Sequence, residues 1–176
     1  MGQWKSRGLR GSVLEEMINS TNKIYENHSL CLVQKVPTPI VPMEIDNSKR
    51  LITKAYFESK STVDYIGVAQ GIPICFDAKE TSHNRLPLQN IHKHQIEFME
   101  NFEKQNGIAF FIVYFTKLNK IFYLPFIIFK KYFDKSLAGG RKSIPLNAFP
   151  EDFLIYNKQG YLVHYLETLN KDLEKR

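Results

Sequence analysis

The sequence has little cysteine and no long apolar segment. Two of its 176 residues are cysteines, Cys31 and Cys75, and both lie within apolar stretches that have the composition of β-strands. This placement favours two buried thiols over a disulfide or a zinc site. No run of about 18 apolar residues is present, so no transmembrane helix is expected.

Targeting and nucleotide-binding motifs are also missing. The N-terminal residues contain no apolar signal segment, so we expect a cytoplasmic protein with no membrane partner. The segment Gly139-Gly-Arg-Lys-Ser143 has the composition of a phosphate-binding loop, but the Gly-x4-Gly-Lys-Ser/Thr spacing of a Walker motif is absent. A solvated turn and a contact with a DNA backbone explain this segment equally well.

What is present is a basic chain that is rich in aromatic residues. There are 24 Lys and Arg residues against 18 Asp and Glu residues, and the net charge of +6 suits a polyanionic partner. The 13 Phe and 9 Tyr residues favour a packed globular protein over a disordered one. A length of 176 residues predicts one domain over residues 1–176, with a flexible basic arm at residues 1–11.

A β-hairpin is predicted in the middle of the chain. Residues 62–68 and 72–79 both alternate between the two faces of a strand, and both contain β-branched and aromatic residues. Gln70-Gly71 lies between them and supplies a two-residue turn. With such a turn, Ala69 pairs with Ile72, and this pairing fixes the register of the whole hairpin.

The register places two carboxylates opposite each other. Asp64 faces Asp77, and Thr62 faces Lys79, with the Cβ atoms of opposed residues roughly 4.5–5.5 Å apart. Two carboxylates this close repel each other unless a positive charge lies between them, and a divalent cation beside Lys79 would supply that charge. The alternatives are two unrelated surface aspartates on a solvated hairpin, or a slipped register that moves Asp64 to the other face.

Two predicted helices carry further polar candidates. Ser12 has the spacing of a helix cap with Glu15, so a helix is expected from there to about Asn27, and Glu15 either caps it or serves a site. A second helix is expected from about Asn90 to Gln105. Gln95 is the polar exception on its apolar stripe, and it either hydrogen-bonds the backbone or has a functional role.

The remaining segments predict an α/β protein. Strands are expected at about residues 30–36, 108–115 and 121–125, and helices at about 126–137 and 161–174. Residues 37–60 are too polar and too rich in proline for the core, which favours a projecting stalk. We therefore expect a mixed β-sheet flanked by helices, with a stalk at about 37–60.

These residues together suit a magnesium-dependent phosphodiesterase. An acid on an N-terminal helix, an aspartate, an Asp-x-Lys pair and a helical glutamine provide hard oxygen ligands and one cation. Mg²⁺ prefers such ligands and keeps several waters, and a lysine beside it can neutralise the charge that develops during hydrolysis.

The sequence resembles the RecU-type Holliday junction resolvases, a branch of the PD-(D/E)xK nuclease superfamily. The resemblance spans residues 10–144 and is carried by the following residues: Arg10-Gly11-x-x-Leu14-Glu15, Asn19-x-Thr21-Asn22, Lys35-x-Pro37-Thr38-Pro39, Ala55-Tyr56-Phe57, Ser61-Thr62-x-Asp64-Tyr65-x-Gly67-Val68, Ala78-Lys79-Glu80-Thr81, Pro87-Leu88-x-Asn90-Ile91-His92-x-His94-Gln95-Ile96 and Gly139-Gly140-Arg141-Lys142-Ser143-Ile144.

The resemblance implies a restriction-endonuclease-like fold and a homodimeric enzyme that nicks four-way DNA junctions symmetrically in homologous recombination and DNA repair. It implies a Mg²⁺ ion, with Mn²⁺ as an alternative, and Lys79 as the stabiliser of the transition state. Glu15 matches the helix-borne catalytic acid of the superfamily, and the stalk is expected to enter the junction. The implied residues are, for the metal, Thr62, Asp64, Asp77 and Gln95, and, for DNA, Arg10, Arg85, His92, Arg141 and Lys142.

Two features depart from the family pattern. Asp77 stands where relatives often have Glu, so its carboxylate is one methylene shorter and the metal distance or preference could differ. The arm before Arg10 is also short, which would weaken non-specific contact with DNA.

Two other functions remain open on the sequence alone. One is a related Mg²⁺ endonuclease that cuts duplex DNA at specific sequences. The other is a DNA-binding modulator of recombinase strand exchange without nuclease activity. The resemblance also implies that recombinase and branch-migration proteins are partners.

Overall fold

The computed structural model describes residues 12–57 and 62–176, and its core is a six-stranded sheet with the strand order β1-β4-β5-β7-β8-β10. In chain order the helices and strands are α1 (Val13–Asn27), β1 (Cys31–Lys35), β2 (Ile40–Asp46), β3 (Leu51–Phe57), β4 (Tyr65–Ala69), β5 (Ile72–Thr81), β6 (Arg85–Pro87), α2 (Lys93–Lys104), β7 (Ile108–Phe115), β8 (Lys120–Pro125), α3 (Phe126–Leu137), β9 (Ser143–Pro145), β10 (Leu154–Ile155) and α4 (Tyr165–Glu174). The predicted α/β class is confirmed.

The central sheet is mixed. Strands β4 and β5 are antiparallel and joined by Gln70-Gly71, and both of these residues have positive φ angles, 49° and 86°. Positive φ at both central residues is the geometry of the two-residue hairpin turn that matches strand twist. Strands β5 and β7 are parallel, and the chain crosses between them through β6 and α2. The predicted pairing of Ala69 with Ile72 is confirmed.

One face of the sheet packs against α1 and α4. Aromatic side chains of four neighbouring strands stack across it, with ring centroids 4.7 Å apart for Tyr65 and Phe76, 4.8 Å for Phe76 and Phe110, and 4.3 Å for Phe110 and Tyr123. Helix α1 begins as predicted, since the Ser12 hydroxyl accepts the backbone N–H of Glu15 at 3.1 Å. This face is closed by ring stacking and apolar burial.

The other face packs against α2 and α3. Cys75 of β5 and Phe111 of β7 are buried there together with Met99 of α2 and Phe129 of α3. Both cysteines are buried and free, which confirms the interpretation from their sequence context. Since side chains alternate along a strand, Asp77 and Lys79 share the α2–α3 face with Cys75.

The segment predicted as a stalk contains an antiparallel two-stranded hairpin. Strands β2 and β3 pair with each other, and no residue of either is buried. Residues 58–60 of the predicted stalk, the predicted arm at 1–11 and its Arg10 lie outside the described residues. The extent of the domain and of the arm therefore stays a prediction. No helix in the described ranges has the length and apolar character needed to span a membrane.

Three element boundaries differ from the sequence expectation. Helix α2 begins at Lys93, because Leu88–Asn90 forms a 3₁₀ turn and Ile91 is extended. Helix α4 begins at Tyr165 rather than at Tyr161, because Tyr161 forms an isolated β-bridge with Lys158. Strand β4 begins at Tyr65 rather than Thr62, for a reason that lies in the candidate site.

Candidate active site

Two aspartates meet where the β4–β5 ladder ends. The last ladder pair is Tyr65 and Phe76, and Asp64 and Asp77 occupy the next position of the same register. The Asp64 backbone N–H donates to Asp77 Oδ1 at 3.2 Å, and the Ala78 N–H donates to Asp64 Oδ2 at 2.9 Å. Side-chain carboxylates thus replace backbone carbonyls as acceptors, which ends the strand at Tyr65 while holding the two aspartates face to face.

Asp77 is an anomalous buried charge. Its side chain has no exposed surface, and its Oδ2 atom is buried without a hydrogen bond from any described residue. Lys79 Nζ makes an ion pair with this oxygen from a side chain that is 18 % exposed. A buried carboxylate oxygen normally has hydrogen-bond donors, because desolvating it without them is costly. Asp77 Oδ2 is therefore an oxygen with capacity for a further cation.

The second aspartate is held in an environment that disfavours its charge. Burial raises the pKa of Asp64 to about 7, and the neighbouring Asp77 carboxylate adds to the effect. The Ala78 N–H and the Lys79 ammonium oppose this rise in pKa but do not cancel it. Two opposed carboxylates with a single lysine nearby thus lack positive charge, as the hairpin register predicted.

Gln95 connects the carboxylates to helix α2. Its Oε1 accepts the backbone N–H of His92 at 3.1 Å, and its Nε2 donates to Asp77 Oδ1 at 3.2 Å. The side chain is buried, and it caps its own helix while also contacting Asp77. The backbone hydrogen bond weighed from the sequence is therefore present, and the functional role of Gln95 stays a prediction. Rotation of the terminal amide would present its oxygen to the carboxylate side instead, because the two orientations have the same shape.

Glu15 lies in a separate cluster at the start of α1. Its Oε2 accepts from Lys35 Nζ at 2.8 Å, rather than returning to the Ser12 backbone as a capping box would require. No hydrogen bond or ion pair joins Glu15 to Asp64, Asp77 or Lys79 within the described residues. Its role as the helix-borne acid therefore remains a prediction.

Glu80 is a residue that the sequence reasoning missed. Its Oε1 accepts the backbone N–H of Leu14 at 2.8 Å, and it follows Lys79 directly in β5. A carboxylate at a helix N-terminus is favourable because it meets free N–H groups and the positive end of the helix dipole. Glu80 thereby connects the first turn of α1 to the strand that carries the site. No local sequence pattern predicts a cap between residues this far apart in the chain.

Thr62 is not a ladder partner of Lys79, contrary to the hairpin prediction. The chain leaves the ladder at Asp64, and the preceding Val63 is fully buried. Thr62 itself is half-buried beside the residues that the structure leaves undescribed. Its prediction as a metal ligand is therefore neither supported nor excluded by strand pairing.

The donor set fits a hard divalent cation. In residues 12–57 and 62–176, no three His, Cys, Asp or Glu side chains are grouped to hold a metal ion, so any ion here has two carboxylates at most. Mg²⁺ is commonly held by one or two carboxylates and keeps several waters, which this site allows. The free capacity of Asp77 Oδ2 and the raised pKa of Asp64 both indicate that positive charge is needed at this point.

The predicted DNA-binding residues lie on two loops that strand pairing brings together. Arg85 in β6 pairs with Pro145 in β9, and the Leu88 N–H donates to the Lys142 carbonyl at 3.1 Å. Arg85, Arg141 and Lys142 are exposed, and none of them makes an ion pair with a described residue. His92 precedes α2, and its ring stacks on that of His94 with centroids 5.4 Å apart.

The glycines of the 139–143 segment do not form a phosphate-binding loop. The Gly139 N–H donates to the Ser136 carbonyl at 3.3 Å and the Gly140 N–H donates to the Lys135 carbonyl at 2.9 Å. These bonds cap the C-terminus of α3, so the two N–H groups are already used. Any contact of this segment with phosphate must come from the side chains of Arg141 and Lys142.

Comparisons with known proteins identify the family of this chain. The profile of the family RecU, recombination protein U, matches residues 9–171. A protein of Pediococcus pentosaceus named "Holliday junction resolvase RecU" is 43 % identical over 172 residues, which cover 95 % of this chain and 86 % of the relative. A protein of the same name from a Geobacillus species is 42 % identical over 170 residues, covering 93 % of this chain and 84 % of the relative.

Among solved structures, the chain is similar to Archaeoglobus fulgidus Hjc, which is described as a Holliday junction resolvase from an archaeal hyperthermophile. The TM-score is 0.44 and the sequence identity 9 %, over 76 % of this chain and 91 % of the Hjc chain.

Proposed function

The chain belongs to the RecU family, and from this premise we propose that it is a Holliday junction resolvase, an endonuclease that hydrolyses phosphodiester bonds in four-way DNA junctions. The observation that supports this activity best is the Asp64–Asp77 pair, in which the buried Asp77 Oδ2 has an ion pair with Lys79 and no hydrogen bond from a described residue. Two opposed carboxylates beside a single lysine suit metal-dependent hydrolysis of a polyanion.

Asp64 and Asp77 would hold the metal ion, with Gln95 and Thr62 as the further oxygen donors. When bound, a divalent cation supplies positive charge to the phosphate oxygens and lowers the pKa of a bound water. Mg²⁺ is our choice and Mn²⁺ the alternative.

Lys79 would supply the protein's own charge for the reaction. Its ammonium already lies against Asp77 and its side chain retains some exposure, so it can also contact a phosphate placed at the site. Negative charge grows on the phosphate oxygens as the P–O bond is attacked, and a fixed cation stabilises that state more than the ground state. The backbone N–H groups of Asp64 and Ala78, which donate to the carboxylates of Asp77 and Asp64, would keep the two carboxylates in place while this occurs.

We further propose a homodimer and a junction-directed stalk. Paired symmetric nicks need two equivalent active sites related by a two-fold axis, which a C2 dimer provides. The exposed β2–β3 hairpin carries large apolar side chains, including Met43, Tyr56 and Phe57, which could pack against unpaired bases at the junction centre. A role in recombination and repair, a cytoplasmic location, and contacts with recombinase and branch-migration proteins belong to the same proposal.

The test compares a labelled mobile four-way junction with a linear duplex of the same sequence. Wild-type protein with Mg²⁺ should nick the junction at symmetric positions and leave the duplex intact, while Asp77→Ala should bind the junction without cutting it. Equal cutting of both DNAs would indicate a general duplex endonuclease. Junction binding without cutting in either Mg²⁺ or Mn²⁺ would instead support a modulator of strand exchange.

A further inference from the structure

A cleft beside the C-terminus of α3 has the features of a binding site. It encloses about 400 Å³ between α3 and the segment that leads into β9, and Tyr132, Lys135 and Arg141 line it. This volume is in the range of small-molecule binding sites. The cleft does not include Asp64, Asp77 or Lys79.

Two glycines bring the two cations of the cleft together. Gly139 has a φ of +88°, which turns the chain back immediately after α3. A Cβ atom on Gly140 would lie 2.6 Å from the Lys135 carbonyl oxygen, so only glycine allows the backbone to lie this close. The turn therefore brings Arg141 to the same cleft as Lys135, although they are six positions apart in sequence.

Neither cation is neutralised. Lys135 and Arg141 make no ion pair with any described residue, whereas Lys130 on the same helix pairs with Asp134 at 2.6 Å. Arg141 Nε donates to the hydroxyl of the buried Ser143 at 3.1 Å, which holds one edge of the guanidinium and leaves its terminal NH₂ groups available. Lys135 Nζ lies 6.0 Å from the centre of the Tyr132 ring, a weak contact at an exposed site.

The cleft and the aspartate pair lie on the same side of the sheet. The segment after the cleft forms β9, which pairs with β6, and the chain runs from β6 through Leu88–Asn90 into α2, where Gln95 contacts Asp77. A DNA strand that crosses this side of the sheet would therefore pass both places.

We propose that this cleft binds one sugar–phosphate unit of a junction arm, with Lys135 and Arg141 on the phosphate and the Tyr132 ring against the deoxyribose. The proposal rests on the proposed function, because it needs DNA as the substrate. A planar guanidinium and a mobile ammonium are together well suited to a phosphate. Lys135 also lies favourably at a helix C-terminus, so the test must separate DNA contact from helix stability.

The experiment measures equilibrium binding of a four-way junction to the Lys135→Gln/Arg141→Gln double variant, with Asp77→Ala present in every protein to prevent cutting. A series of junctions carries one neutral methylphosphonate at each successive phosphate of one arm. We expect the double variant to bind the unmodified junction about tenfold more weakly, and the log–log salt slope to be smaller by about 0.9, the value for one lost phosphate contact.

The methylphosphonate series identifies the contact. At one position, neutralising the phosphate should weaken binding in the Asp77→Ala parent about tenfold and in the double variant less than twofold. The single variants Lys135→Gln and Lys131→Gln are matched, because each removes one positive charge from α3, and only Lys135 lines the cleft. Lys131→Gln should therefore respond like the parent. Melting temperatures within about 2 °C of the parent would exclude unfolding as the cause.

Three results would overturn the subsite. If the double variant and the parent respond alike at every modified phosphate, the cleft does not contact DNA, although junction binding by the parent would leave the proposed function intact. If Lys131→Gln lowers affinity as much as the double variant, the effect is only one of net charge. If the parent binds no junction at all, both the proposed function and the subsite are contradicted.

Discussion

The protein contains two buried aspartates with opposite surroundings. Asp172 on α4 is 3 % exposed, and its Oδ2 accepts from the Tyr123 hydroxyl at 2.8 Å and from Arg176 at 3.2 Å. Asp77 is buried to the same degree, yet its Oδ2 has only the Lys79 ion pair and no hydrogen bond. Burial alone therefore does not distinguish a functional acid from a structural one.

The difference lies in how far each charge is satisfied. Arg176 also donates to Glu103 at 2.8 Å, so the Asp172 cluster is a network in which each acid has a charged partner. At the Asp64–Asp77 pair two carboxylates also share one cation, but Lys79 makes an ion pair with Asp77 alone, whereas Arg176 bonds both of its acids. A satisfied network favours a single packed structure, whereas an unsatisfied one has a free energy to gain from a ligand.

The largest expected effect separates the two aspartates by activity. Asp77→Asn should lower the rate of junction cleavage at least about 10³-fold, as removal of a group at the reacting centre does, and change the free energy of unfolding by less than about 1 kcal/mol. Asp172→Asn should leave the cleavage rate nearly unchanged. It should lower the free energy of unfolding by about 2 kcal/mol, because it loses charged hydrogen bonds. Cleavage rates on junction DNA and denaturant unfolding would measure both.

Loss of cleavage in Asp172→Asn at an unchanged free energy of unfolding would contradict this contrast between the aspartates. Cleavage of the junction by Asp77→Asn at the wild-type rate would contradict it as well.

A smaller effect concerns metal ions and stability. Mg²⁺ or Mn²⁺ at about 100 times its dissociation constant should stabilise the wild-type protein by about 2.7 kcal/mol, because the ion binds the folded state. Asp172→Asn should keep this gain from its lower starting point, and Asp64→Asn should lose most of it. An equal gain in the Asp64→Asn variant would place the ion somewhere other than the aspartate pair.

The smallest effect concerns pH on the α4 side. The Tyr25 hydroxyl bonds His164 Nδ1 at 2.7 Å, and burial lowers the pKa of His164 below its ordinary value. A depressed histidine pKa means that the unfolded chain takes up the proton first, so this contribution to stability is present above about pH 6.5 and is lost as the pH falls below it. We expect His164→Gln to unfold with a weaker pH dependence between pH 7 and 5 than the wild type. Identical pH profiles of melting temperature would contradict this.

Much of the site was predictable because it depends on local pairing. Gln70-Gly71 specifies a two-residue turn, and the strict alternation of strands then places Asp64 next to Asp77 by counting alone. Gln95 was detectable as a polar residue on an apolar helix stripe. Glu80 and Arg176 were not predictable, because each acts on a partner more than 60 positions away in the chain.

The sequence by itself determined the two-residue hairpin, the amphipathic helices, the buried central strand and the family, since these depend on short-range periodicity and recognisable motifs. Only the tertiary structure decided that Asp77 Oδ2 has an ion pair but no hydrogen bond, that Asp172 Oδ2 accepts from both Tyr123 and Arg176, and that Glu15 pairs with Lys35. The physical reason is that the energy of a buried charge depends on every neighbour that the fold brings to it, and most of those neighbours come from distant parts of the chain.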